Sequence, residues 1–108
     1  MDNFKAIYGI LKTLDKYKGD EDFDTNSISA DTLNIPYKDW EQIIIELQRN
    51  GYIDGVTFSQ TMGDKFPHIA EPIYPRITMK GMEYLANNTM MKKVANTLKG
   101  IKDIIPGL

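Results

Sequence analysis

The sequence predicts an α+β fold in which helices form the body and one two-stranded hairpin projects from it. Three observations lead there. Apolar residues recur at helical spacing in several separate stretches. Two runs rich in β-branched and aromatic residues, YIDGVTF and PIYPRIT, are separated by a polar stretch that can only turn. Between the first and second long helical patterns, Pro36 divides a very short helix from a longer one. The 108 residues, 42% hydrophobic and 26% charged, suit one core and argue against disorder.

Phe4, Ile7, Tyr8, Leu11 and Leu14 share one helical face, with Asp2 or Asn3 placed to cap that helix and Gly19 to end it. The following DEDFDTNS stretch reads as a solvated acidic loop with a short strand over 23–28; it lacks the glycine and terminal glutamate of a calcium loop. Ser29 can cap a helix of one or two turns through ADTL, which must stop at Asn34-Ile35-Pro36. Pro36 then suits the first turn of YKDWEQIIIELQRNG, where Tyr37, Trp40, Ile43, Ile44 and Leu47 face inward and Asn50-Gly51 offers the C-terminal cap. Spacing places Trp40, Tyr37, Tyr52 and Phe58 in the core.

YIDGVTF and PIYPRIT are expected to pair, with SQTMGDKFPHIAEP as a long hairpin tip and Pro75 marking an edge. In RITMKGMEYLANN the strand runs straight into a helix that Thr78 can cap. Such a helix returns the chain to the body and covers it. Gly81 costs about 1 kcal/mol relative to alanine inside a helix, so a close backbone approach is expected there. A last amphipathic run over 90–105 gathers Met90, Met91, Val94, Leu98, Ile101 and Ile105 on one side. The division expected is 1–89 for the main domain and 90–108 for a C-terminal extension.

Helix, short helix, longer helix, strand, wing, strand, helix is the order of a winged helix-turn-helix domain. The stretches IPYKDWEQIIIELQRNGYIDG and PRITMKGMEYLANNTMMKK are similar to the YjcQ family, small winged-helix proteins of Gram-positive bacteria and their prophages. The resemblance covers most of residues 4 to 95. It implies a fold and a phage-related setting, and brings no catalytic residues with it.

The absence of cysteine removes disulfides and thiolate chemistry, and with no apolar leader or spanning segment the chain reads as cytoplasmic. Formal charge is −2, so no global field draws it to nucleic acid. In such a domain the third helix is the reader of the major groove. Lys38, Gln42, Ile45 and Arg49 are expected on its outward side: cations for phosphate or guanine, an amide for adenine, an apolar contact for a thymine methyl. Lys65, near Phe66 and His68 on the hairpin tip, would position the backbone. Asp39, Glu41 and Glu46 oppose this, and the alternative is an adaptor that binds a phage or host protein and no DNA.

The apolar face of the last helix has three conceivable covers: its own domain, a second copy, or a membrane surface. The expectation is a two-fold dimer through Met90, Met91, Val94, Leu98, Ile101 and Ile105. His68 has no acidic partners at ligand spacing, and no acid, base and nucleophile converge, so neither enzyme, metal nor cofactor is expected. The expected function is weak binding of double-stranded DNA by a small regulator, without membrane contact.

Overall fold

The computed structural model of the chain describes residues 3–98. Within that span the elements are α1 (Asn3–Lys16), a 3-10 turn (Thr25–Ile28), α2 (Ala30–Leu33), α3 (Tyr37–Arg49), β1 (Ile53–Asp54), β2 (Thr57–Ser59), β3 (His68–Ala70), β4 (Arg76–Ile77), α4 (Met79–Asn87) and α5 (Thr89–Leu98). The layout is α+β and matches that of a winged helix.

α1 turns Ala6, Ile10, Leu11 and Leu14 into the core, where they meet Leu33, Trp40, Ile44 and Leu47. Each large aliphatic side chain buried this way stabilises the fold by about 1.5–3 kcal/mol. The Trp40 ring is buried, and its indole N–H donates to the Ile28 carbonyl at 2.7 Å, so the largest core residue leaves no polar atom unsatisfied. Where a strand was expected over 23–28, the Asp24 carboxylate accepts the Asn26 N–H at 2.9 Å and winds the chain into the 3-10 turn. Such local bonds compete with a ladder. Ser29 caps α2 by accepting the Thr32 N–H, and Asn34 ends it in the left-handed region.

α3 ends in a pair of reversed bonds, Tyr52 N–H to the Leu47 carbonyl at 2.9 Å and Gly51 N–H to the Gln48 carbonyl at 3.0 Å. The geometry needs positive φ at Gly51, which is observed. The ribbon that follows differs from the single pair expected. It consists of two separate ladders: β1 pairs with β4 (Ile53 with Ile77, Asp54 with Arg76), and β2 pairs with β3 (Thr57 with Ala70, Phe58 with Ile69, Ser59 with His68). Residues 68–70, expected in the tip, are therefore a strand, and 72–75 are not. Pro72 and Pro75 lack the N–H a ladder requires. Gly55 supplies the break opposite them: its φ is +90°, and a Cβ there would overlap the Tyr74 carbonyl.

The ribbon's root and α4 are tied together by Thr78. Its hydroxyl accepts the Gly81 N–H at 3.0 Å, capping α4, and donates to the Gly51 carbonyl at the end of α3. Gly81 makes the expected close approach, because a Cβ there would run into the Tyr52 carbonyl. The strand turns into a helix at this point so that α4 can lie against α1 and the root, with the rings of Tyr52 and Tyr84 stacked at 4.4 Å.

Asn88 separates α4 from α5 and accepts the N–H groups of Met90 and Met91. Met91, Val94 and Leu98 are buried against Tyr8, Ile7, Tyr84 and Leu85, while Met90 is half-buried. Within the described residues, Met91, Val94 and Leu98 of the face expected at a dimer interface are thus covered by their own chain. The reason lies in α1, whose apolar stripe is wide enough to offer Ile7 and Tyr8 to a second layer. Ile101 and Ile105 lie outside the described residues. Among the described residues, no helix is long and apolar enough to cross a membrane.

Candidate partner-binding face of the third helix

α3 carries three consecutive isoleucines. Successive residues on a helix are 100° apart, so Ile43, Ile44 and Ile45 span about 200° and cannot all face one core. Ile43 and Ile44 enter the main core, and a second element is needed to cover Ile45. That element is the outer hairpin, whose β3 packs on α3 and whose Phe66 and Pro67 share a cleft with Ile45. Ile45 is only 3% exposed, not outward as expected, and it cannot reach a thymine methyl while the hairpin lies over it.

β3 is held there by Glu41, one turn before Ile45. The carboxylate accepts the Ile69 N–H at 3.0 Å through one oxygen and meets His68 Nδ1 at 3.0 Å through the other. A side chain expected to flank a solvated face is instead almost buried. Sequence reasoning missed Glu41, His68 and Ile69 as a unit. The available signal was the isoleucine triplet, which requires a second cover without saying where it comes from. Phe58, expected in the core, is half-buried, with the Arg49 guanidinium over its ring at 5.3 Å. Tyr37, also expected inside, is 52% exposed and leans on Trp40 with ring centroids 5.4 Å apart.

What remains open on α3 is a strip of Lys38, Gln42, Glu46 and Arg49, all exposed, edged by half-buried Asp39. Arg49 and Glu46 pair at 3.5 Å. Two cations face two carboxylates, so the strip is neutral in sum. Partial burial, then the negative charges of Glu41 and Glu71 and a hydrogen bond with Glu41, raise the phenol of Tyr37 above its ordinary value. Lys65 stands exposed on the hairpin tip, next in sequence to Phe66, which shares a cleft with Gln42, Glu46 and Arg49 of the strip. The tip itself is shaped by Asp64, whose carboxylate accepts from the Thr61 hydroxyl and the Thr61 N–H; these bonds hold it below the ordinary carboxylate value.

Two clefts border the strip. One, of about 330 Å³, lies between α1, α3 and α4, with Ile7, Ile43, Leu47, Tyr52 and Tyr84 against Asn3, Asp39, Gln42, Glu46 and Asn50. The other, of about 350 Å³, lies under the hairpin, between Gln42, Ile45, Glu46, Arg49, Phe66 and Pro67. Among the described residues, no three His, Asp or Glu side chains converge as a metal site.

A family model described as YjcQ protein matches residues 8–104, a span that takes in the hairpin and the lining of both clefts except Asn3 and Ile7. The chain belongs to the YjcQ family. A relative 33% identical over 106 residues, covering 97% of this chain and 99% of its own length, is the Bacillus subtilis (strain 168) protein named "Uncharacterized protein YjcQ". No solved structure matches the chain. The stretches that resemble the YjcQ family in sequence are those that build α3, the ribbon's root, α4 and the start of α5.

Proposed function

We propose that this YjcQ family member is a protein-interaction adaptor built on a winged-helix layout, binding its partner through the open strip of α3. The observation that carries this reading is the seating of β3 on α3. It removes Ile45 and Glu41 from the surface and leaves a strip without net charge. Binding to duplex DNA draws mainly on phosphate neutralisation by clustered cations, and the strip supplies none in excess. Neutral, mixed surfaces flanked by apolar clefts suit protein partners better.

A second reading, weak binding of double-stranded DNA by a regulator, is favoured by Lys38, Gln42 and Arg49 being exposed together on one side of α3, with Lys65 available on the wing. Fluorescence anisotropy with a labelled mixed-sequence duplex at about 20 mM and 200 mM salt separates the two. The adaptor reading expects a flat signal at both. A titratable signal that weakens steeply with salt, and is lost in the Lys38→Glu, Arg49→Glu double variant, would replace it with the DNA reading.

A further inference from the structure

We infer that the cleft between α1, α3 and α4 receives a basic peptide segment of a partner protein: one apolar side chain enters the cleft, and a neighbouring lysine or arginine pairs with Asp39. This rests on the adaptor reading and names the partner's chemistry. The floor of the cleft is apolar, with Ile7, Ile43 and Tyr84 among its walls, and its rim carries the carboxylates of Asp39 and Glu46 beside the amide of Gln42. No lysine or arginine lines it.

Of the cations near its lining residues, Arg49 pairs with Glu46 at 3.5 Å, Lys80 lies over the Tyr52 ring at 5.5 Å, and Lys38 stands exposed on the adjoining strip. Asp39 has no ion pair or side-chain hydrogen bond among the described residues. Its place in the first turn of α3 accounts for its tolerance there, since the helix dipole favours a negative charge. It also leaves the carboxylate free to accept a cation. At about 330 Å³ the cleft exceeds the roughly 150 Å³ that holds a benzene ring in a protein interior, so it has room for one aromatic or one to two aliphatic side chains. A lone apolar contact would not select a partner, whereas a cation placed beside it would, because a segment flanked by acidic residues is repelled.

The probes are three labelled peptides: Lys-Lys-Leu-Leu-Lys-Lys, its counterpart with glutamate at every lysine, and its counterpart with serine at both leucines. Binding to the full chain is read by anisotropy and mapped by amide chemical shifts. The first peptide is expected to bind at least about tenfold more tightly than either counterpart, with shifts at Ile7, Ile43 and Tyr84. Asp39→Lys is expected to lower that affinity about tenfold while leaving the circular dichroism spectrum unchanged. Equal binding of the glutamate peptide, shifts confined to the hairpin side around Phe66, or no binding by the first peptide would overturn the inference. Should Asp39→Lys disturb the fold, Asp39→Asn, which keeps the shape and removes only the charge, makes the same test. The adaptor reading fails separately, on salt-sensitive duplex binding, and survives if this cleft proves to be the wrong site.

Discussion

The root of the ribbon and its outer hairpin are both short antiparallel ladders, yet they are secured by different means. At the root, β1 and β4 are locked from both sides. Thr78 bonds to the end of α3 and to the start of α4, Gly81 brings the α4 backbone against Tyr52, and Tyr84 stacks on Tyr52. The outer hairpin pairs only with itself, beyond the break at Gly55, and the side chain of the body that hydrogen-bonds to its return strand is Glu41. The root is positioned by backbone packing that tolerates no added atom. The hairpin is positioned by side chains of α3: the Glu41 carboxylate, the Gln48 amide oxygen that accepts the Val56 N–H at 3.3 Å, and the Arg49 guanidinium over the Phe58 ring. Backbone stability in a protein is seldom uniform, and elements held by few buried contacts open first.

The largest effect is expected at the root. Helix propensity alone predicts that Gly81→Ala stabilises α4 by about 1 kcal/mol. Overlap of the new Cβ with the Tyr52 carbonyl predicts the reverse, a loss of roughly 3 kcal/mol as the helix is pushed off the ribbon. Urea unfolding decides the sign. A rise in the midpoint would mean that the root is looser than described and that the contrast with the hairpin is false.

A smaller and more local effect is expected at the latch. Glu41→Ala removes the acceptor of the Ile69 N–H and the partner of His68, at a cost of about 1–2 kcal/mol given that His68 is largely exposed. Hydrogen exchange should show residues 57–70 opening faster while α1 and the root keep their protection. Faster exchange everywhere would show that the hairpin is integral to the core.

The smallest effect concerns the tip. The folded Asp64 carboxyl lies below its ordinary value of 3.8, chiefly through the Thr61 hydroxyl and then the Thr61 N–H. Its contribution to the turn is therefore complete above pH 3.8 and is lost as the pH falls through the lower folded value. The Thr61 amide shift should titrate with a midpoint below 3.8. A midpoint at or above that value would remove the bond from the account.

Legibility followed the range of the interactions. The caps at Ser29 and Thr78, the stop at Asn34, the close approach at Gly81 and the burial of Trp40 were readable because each depends on residues a few positions apart or on one clear helical face. The burial of Ile45, the half-burial of Phe58, the exposure of Tyr37 and the strand at 68–70 were not. Each depends on where a distant segment comes to rest. The same holds for Met91, Val94 and Leu98, whose amphipathic spacing demanded a cover that could have been a second copy as easily as α1. In the candidate site, Lys38, Gln42 and Arg49 were placed on the open side by periodicity alone. The cleft beside them needed α1 and α4 to be brought alongside α3 before it existed.

By itself, the sequence determined the order and type of the helices, the existence of a ribbon after the third of them, and the membership suggested by its two longest motifs, since local periodicity, caps and turn residues act within a turn or two of the chain. Only the tertiary structure decided that the ribbon divides at Gly55, that its outer half folds down onto α3 through Glu41, and that the last helix belongs to its own body. Those outcomes turn on which of several apolar surfaces meet, and hydrophobic burial has no direction of its own until the chain's long-range contacts choose between them.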